Sequence, residues 1–134
     1  MKPHPATQPR LTPNLVLEVF DLPITFHRCL VRVTGSVTAA LMLSQAMAWT
    51  EQLAPEMEGW FCSSQGDWMD ETGLSRWEQE TARRVLRNCG FLDERKMGIP
   101  ARLWFRVNRP RLAAALRELS ERRDKSRVSL SGRH

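Results

Sequence analysis

Cysteine is scarce in this chain of 134 residues, and its pattern excludes two kinds of stabilising site. The three cysteines, Cys29, Cys62 and Cys89, lie far apart, and the sequence contains no CxxC pair and no Cys/His cluster. An odd number of scattered cysteines indicates neither a disulfide framework nor a zinc site. We therefore expect free thiols in a reducing compartment, and neither a metal ion nor another cofactor.

Long apolar runs are also lacking. The longest apolar-leaning stretch, residues 37–48, contains Thr38, Ser44 and Gln45 and is too short to span a bilayer. The first residues, MKPHPATQPRLTPN, include no apolar segment after a basic start, so we expect no secretory signal. These absences predict a cytoplasmic protein without a membrane partner.

Residue patterns that support catalysis are sparse as well. Two histidines, His4 and His134, lie near the ends of the sequence, and His27 falls on the polar side of a predicted short helix. The acidic residues within 67–71 are better explained as negative charge near a helix N-terminus than as a metal site. No glycine-rich phosphate loop is present. We therefore expect no catalytic residues and no metal ligands, and an enzyme is the least favoured function.

Positive charge, by contrast, is abundant in the second half of the chain. Residues 1–74 contain four Lys or Arg and eight Asp or Glu, a net charge of −4. Residues 75–134 contain sixteen and seven, a net charge of +9. Such an excess of positive charge in one half of the chain indicates a polyanionic partner. The alternative interpretation is a solubilising surface that ends in a basic tail.

Proline and apolar residues divide the chain into three segments. Residues 1–24 hold five prolines and are predicted to form an arm, in which only LVLEVF (15–20) favours a short strand. Residues 25–119 carry the periodic apolar patterns of a folded domain. Residues 120–134 are polar and basic, and we expect a disordered tail there.

Two helices are predicted at the start of the domain, at residues 26–33 and 36–52. The first would be capped by Thr25 and end before Gly35. The second has apolar residues on two faces, so it requires cover on two sides, from the arm, the first helix or a second subunit. The candidate homodimer interface on its second face consists of Met42, Ala46, Trp49 and Leu53.

A helix, a short turn and another helix follow, at residues 65–72 and 76–89. Gly73 ends the first of these helices, and Ser75 with Glu78 has the spacing of a capping box at the start of the second. Gly90 lies where a left-handed residue ends the second helix. Two helices joined by a short turn that contains glycine form the helix-turn-helix pattern.

The outward face of helix 76–89 is basic. At about 100° per residue, with Ala82 at the centre of the buried face, the outward residues are Arg76, Trp77, Glu80, Arg83, Arg84 and Arg87. Glu80 can pair with neighbouring arginines, which would make this an ordinary solvated face. Because an exposed indole is costly in water, Trp77 is predicted either to form an interface or to fold back on the preceding helix.

A β-hairpin is predicted directly after this helix, with strands at residues 91–96 and 101–107 and a turn at 97–100. The second strand alternates between inward Leu103, Phe105 and Val107 and outward Arg102, Trp104 and Arg106. A final helix is predicted at residues 110–123. Together these elements indicate a mainly α fold with a small β-hairpin wing, a winged helix-turn-helix.

Four segments of the sequence resemble a known group of proteins: AALMLSQAMAWTE, GWF, DWMDETGLSRWEQETARRVLRNCGFL and GIPARLWFRVNRPRL. They are similar to the winged-helix domains of phage and plasmid replication proteins, including replisome organisers, DnaD-like N-terminal domains and prophage helix-turn-helix proteins. The resemblance covers about residues 25–119 and implies DNA binding, with oligomerisation through the N-terminal helices. Such replication proteins usually carry a further C-terminal domain, whereas a short basic segment follows here, so a stand-alone regulatory role is also open.

The leading interpretation is a DNA-binding winged-helix protein, related to phages or mobile elements, that acts on double-stranded DNA in replication or transcription regulation. Helix 76–89 would enter the major groove, with Arg76, Gln79 and Arg83 at or near base edges. The arginines of its outward face could instead neutralise phosphates. On the wing, the residues that would contact the flanking backbone or the minor groove are Arg95, Lys96 and Arg102.

The alternative is a non-catalytic adaptor that uses the winged-helix surface to bind a host or replisome protein. Trp77, Trp104 and the doubly apolar helix 36–52 favour it, because aromatic residues and arginine are enriched at protein interfaces. The ability to shift labelled DNA in the presence of competitor DNA would separate the two interpretations.

Overall fold

The structure, a computed structural model, describes residues 12–14 and 23–131 and is mainly helical, with one small antiparallel sheet. Its helices are α1 (Arg28–Thr34), α2 (Val37–Glu51), α3 (Gln65–Thr72), α4 (Arg76–Cys89) and α5 (Arg109–Ser131). Its strands are β1 (Trp60–Cys62), β2 (Leu92–Met97) and β3 (Arg102–Val107), and a 3-10 turn occupies Pro55–Met57. The strand predicted at residues 15–20 and most of the predicted arm lie outside the described residues.

The three strands form an antiparallel sheet in the order β1-β3-β2. The inner face carries the buried side chains of Phe61, Leu92, Phe105 and Val107, because alternate residues of a strand point to the same side. Phe61 lies opposite Phe105 in the register, their ring centroids are 5.8 Å apart, and the Trp68 ring of α3 meets Phe105 edge-on at 5.4 Å. The predicted alternation in β3 is confirmed for Phe105 and Val107, which are both buried.

Helix α2 is the central helix of the fold. It contacts α1, α3, α4, β1 and β3, so both of its apolar faces are covered by elements of the same chain. Met42 and Ala46 are fully buried in this core, and Trp49 packs at its edge against Phe61 and Trp68. The prediction that Met42 and Ala46 face a second subunit is therefore wrong for the described chain. Leu53 is partly buried against the same core.

The turn between α3 and α4 is fixed by local chemistry, and the predicted bounds of both helices are confirmed. Gly73 ends α3 at φ 73° and Gly90 ends α4 at φ 78°, a left-handed conformation that costs glycine little. At the start of α4, the Ser75 hydroxyl accepts from the Glu78 backbone N–H at 3.2 Å, and the Ser75 N–H donates to the Glu78 carboxylate at 3.0 Å. This predicted capping box sets the start of α4.

Two helix boundaries differ from those that the sequence predicts. Helix α1 begins at Arg28, and its N-cap residue is His27, so Thr25 does not cap it. Helix α5 continues to Ser131, past its predicted end at residue 123 and into the predicted disordered tail. An i,i+4 ion pair between Glu118 and Arg122 supports the helix just before this extension, whose residues up to 129 are all exposed.

A helix crosses a membrane only if it is long and apolar enough for the bilayer core. Within residues 12–14 and 23–131, no single helix combines the length and the apolar content needed to cross a membrane. Helices α1 and α2 reach both only when they are counted together, and they are bent by 118° at the break between them.

Candidate nucleic-acid interface

The outer face of α4 carries a row of exposed charged residues around an exposed indole. Arg76 and Glu80 form an ion pair one turn apart, with 3.6 Å between Arg76 Nε and Glu80 Oε1. Arg84 and Arg87 extend the row towards the end of the helix, and both are exposed. The Trp77 side chain is 73% exposed, so it does not fold back on α3. Of the two predictions for Trp77, folding back on the preceding helix is therefore wrong, and a role at an interface stays a prediction.

Arg83 lies at the edge of this face and is turned towards β2. Its Nε and Nη2 atoms donate to the two carboxylate oxygens of Glu94 at 2.7 and 2.9 Å, and its guanidinium lies 5.7 Å from the Phe105 ring centroid. The hydrogen bonds to Glu94 raise the pKa of Arg83 above its ordinary value. Only 23% of the Arg83 side chain is exposed, so the predicted role at base edges does not fit its position.

Gln79 is not on the surface. It is 2% exposed, and its amide nitrogen donates to the backbone carbonyls of Gln65 and Leu74, at 3.1 and 3.0 Å. The prediction that Gln79 reaches base edges is therefore wrong. Both carbonyls belong to the segment before α4, so the amide ties α4 to the start of α3 and to the turn.

Strand β2 of the β2–β3 hairpin packs against α4. Met97 pairs with Arg102, and residues 98–101 form the loop at its tip. Lys96 and Arg102 are both exposed next to this loop, as predicted for a wing, and Ile99 at the tip is fully exposed. Glu94 and Lys96 share the sheet face that is turned towards α4, because they are two residues apart on one strand.

Arg95 is placed differently from Lys96. It belongs to the opposite sheet face, where its guanidinium lies 5.3 Å from the Trp60 ring centroid. Arg102, which pairs with Met97, shares the face of Arg95, so Lys96 is the one predicted wing residue on the α4 side of the sheet.

Ion pairing joins α4 firmly to the hairpin. Glu94 accepts from Arg83 and also from Arg87, whose Nη1 lies 3.5 Å away, and the Glu94 side chain is only 13% exposed. A carboxylate shared by two guanidiniums holds the helix and the strand in one orientation, since bidentate pairs fix geometry as well as distance. The helix with the exposed arginines is thus held against the strand that carries the exposed Lys96.

The capping boxes at the starts of α3 and α4 each contain a carboxylate with a lowered pKa. Hydrogen bonds from the backbone and the hydroxyl of Ser75 lower the pKa of Glu78, and Ser64 lowers the pKa of Asp67 in the same way at the start of α3. The capping boxes therefore keep both carboxylates ionised in the folded protein below their ordinary titration range.

Sequence reasoning did not find the aromatic and basic cluster on the far side of the sheet. Trp60 lies there between Arg95 and Arg106, the latter with its guanidinium 4.6 Å from the indole centroid. The alternation in β3 indicated that Trp104 faces outward. Trp60 reaches the same sheet face only because β1 pairs with β3, and no local sequence pattern reveals that pairing.

No group of three or more His, Cys, Asp or Glu side chains lies close enough to hold a metal ion within the part of the chain that the structure describes. Comparisons with protein-family models, with curated proteins and with solved structures give no match to the chain.

Proposed function

We propose that this chain is a winged helix-turn-helix protein that binds double-stranded DNA without catalysing a reaction. It would act in replication or transcription regulation, in a phage-related or mobile-element context. One observation carries the proposal: Arg76, Arg84 and Arg87 are exposed on α4, and ion pairs of Arg83 and Arg87 with Glu94 hold this helix against the strand that carries the exposed Lys96. A single acidic residue, Glu80, lies exposed among the α4 arginines.

The topology supports the same proposal. A helix and a strand are followed by two helices joined by a three-residue turn, and then by a hairpin whose second strand pairs with β1. A hairpin that directly follows the second helix of a helix-turn-helix extends beside that helix, where a wing would reach DNA. Helix α4 would be the recognition helix of this arrangement.

The spacing along α4 suits a DNA groove. Eight residues separate Arg76 from Arg84, which corresponds to about 12 Å of helix. The major groove is also about 12 Å wide, so these two side chains can approach the phosphates on both of its sides. Arg84 can instead form a bidentate pair with guanine, since its guanidinium has no partner among the described residues. Arg83 orients α4 through Glu94 and does not contact DNA in this proposal.

The test is binding of a fluorescent mixed-sequence duplex over a range of salt concentrations. We expect the logarithm of the association constant to fall linearly with the logarithm of the salt concentration. The double variant Arg76→Ala/Arg84→Ala should bind more weakly, with a slope smaller by up to about 1.8, since each lost phosphate contact removes about 0.9. Arg117→Ala, an exposed arginine of α5, is the matched control and should leave the slope unchanged.

Two results would overturn the proposal. One is duplex binding by the double variant that equals the wild type in affinity and slope. The other is the absence of salt-dependent duplex binding by the wild-type chain. Thermal unfolding of each variant shows that its fold is retained, since both substituted residues are exposed.

A protein adaptor is the second candidate, and Trp77 favours it. A large indole that is 73% exposed is the kind of residue that dominates protein interfaces, and a major-groove helix does not require it. If the wild-type chain fails to bind any duplex at low salt, this alternative replaces DNA binding.

A further inference from the structure

The far side of the sheet carries a second surface, separate from α4, which we name the outer sheet face. It consists of Trp60, Cys62, Asp93, Arg95, Met97, Arg102, Trp104 and Arg106. The pairing register places these residues together, because strand neighbours that lie opposite each other share a face. This face holds two indoles and three guanidiniums against one carboxylate.

Trp104 lies at the centre of the outer sheet face. It belongs to the middle strand, directly opposite Arg95 on one side and Cys62 on the other. Arg102 and Arg106 are two residues away along β3, so they flank the indole on the same face. Trp104 is partly exposed, and within residues 12–14 and 23–131 no aromatic ring is paired with its indole and no guanidinium lies over it. Its ring face is therefore available to a planar ligand.

Trp60 differs from Trp104 because its ring is already occupied. The guanidiniums of Arg106 and Arg95 lie 4.6 and 5.3 Å from its centroid, and Arg106 also donates to Asp93 at 3.3 Å. These contacts hold two cations against the sheet surface next to Trp104. Asp93, the one carboxylate of this face, is paired with Arg106. The positive charges of Arg95 and Arg102 are therefore not offset by a carboxylate of this face and can attract an anionic ligand.

We propose that the outer sheet face binds single-stranded nucleic acid. A base stacks on Trp104, and Arg95 and Arg102 contact the phosphates on either side of it. This site is separate from the duplex interface proposed for α4, and neither proposal depends on the other.

Stacking decides between a single strand and a duplex. A base within a duplex has both faces covered by its neighbours, whereas an unpaired base presents a free face to an indole. A sheet face with an aromatic residue on its middle strand is well suited to such a base, and arginines supply the electrostatic attraction to the backbone.

The spacing of charges favours nucleic acid over an acidic peptide. Arg102 lies two residues from Trp104 along β3, about 6.7 Å away, and Arg95 lies directly opposite Trp104 on β2, so the indole has a cation on two sides. A polymer that alternates a planar group with an anionic group matches this order, and a nucleotide chain has both groups in every unit. An acidic peptide supplies the charge but no regular planar group.

The experiment measures binding of a fluorescent oligothymidylate of about twelve nucleotides to the full chain, with a labelled duplex measured in parallel. Trp104→Ala should weaken oligothymidylate binding by about tenfold to a hundredfold, the effect of losing one stacked base, and leave duplex binding unchanged. Trp77→Ala, which removes an exposed tryptophan from α4, is the matched control and should retain oligothymidylate binding.

A second variant protects the test against loss of folding. Arg95 is exposed, so Arg95→Gln should keep the fold. We expect it to reduce the salt dependence of oligothymidylate binding by about 0.7 in logarithmic slope, the value for one phosphate contact on a single strand. Unchanged affinity and slope in this variant would contradict the proposal even if Trp104→Ala failed to fold.

Three further results would overturn the proposal. Oligothymidylate binding by a folded Trp104→Ala variant at wild-type strength would exclude stacking. Equal competition by an oligoglutamate of the same charge would show that the face recognises charge alone, as a protein-binding surface does. A loss of oligothymidylate binding in the Arg76→Ala/Arg84→Ala variant, parallel to its loss of duplex binding, would show that α4 binds both.

Discussion

Two adjacent arginines of α4 show where residue-level prediction succeeds and where it fails. The helical period correctly placed Arg84 on the exposed face, because that face is defined by the helix alone. Arg83 and Gln79 lie at the edges of the same face, and their surroundings depend on β2 and on the start of α3. Those neighbours are set by tertiary packing, so the sequence could not show that both side chains are engaged inside the protein.

The partial burial of Arg83 leads to a stability prediction. Arg83→Lys keeps the charge but cannot form the bidentate pair with Glu94, whose geometry requires a planar guanidinium. We expect the free energy of unfolding, measured in urea, to fall by about 1–2 kcal/mol. Arg84→Lys, one residue away and exposed, is the control and should change it by less than about 0.5 kcal/mol. Equal effects of the two substitutions would contradict the role assigned to Arg83.

At the scale of elements, the helices with strong local signals were the best predicted. Helices α3 and α4 have their predicted bounds, since each is bracketed by a serine cap and a glycine within a few residues. Helix α1 lacks a side-chain cap, and its predicted start was wrong. The predicted end of α5 was wrong for another reason. The C-terminal half of this helix has no apolar stripe, and the prediction treated this lack as the absence of a helix.

The capping box of α4 predicts an acid-dependent loss of stability. Hydrogen bonds from Ser75 lower the pKa of Glu78 in the folded protein from its ordinary value of 4.5. A carboxylate with a lowered folded pKa stabilises the protein above the unfolded pKa, and this stabilisation is lost as the pH falls through the folded pKa. We therefore expect the free energy of unfolding to decrease as the pH is lowered from about 4.5, partly because Glu78 becomes protonated.

The variant Glu78→Gln isolates this contribution. Glutamine can still accept the Ser75 N–H bond at this position but does not titrate, so the decrease in stability below about pH 4.5 should be smaller than in the wild type. Glu121→Gln, an exposed substitution in α5 outside either capping box, should retain the wild-type acid dependence. Urea unfolding at several pH values measures both, and identical curves for Glu78→Gln and the wild type would refute the assignment.

At the scale of the whole molecule, the sequence predicted which elements exist better than how they meet. The mainly helical composition with a small hairpin could be inferred from periodicity, and the inward residues of β3 from alternation. Strand β1, residues 60–62, pairs with residues 104–106 of β3, which lie more than forty residues later in the sequence. Such pairing has no local signal, which is why the outer sheet face around Trp104 became visible only in the structure.

The position of α2 yields the last prediction, which concerns the whole chain. Met42 is fully buried between elements of one chain, so Met42→Ala should lower the free energy of unfolding by about 2–5 kcal/mol through a cavity in the core. The unfolding midpoint should not depend on protein concentration in either protein, since the lost contacts lie within one molecule. Val37→Ala, an exposed position on the same helix, should change stability by less than about 0.5 kcal/mol. If the wild-type midpoint instead rose with concentration and Met42→Ala abolished that rise, Met42 would lie at a subunit interface, because only dissociation couples stability to concentration in this way.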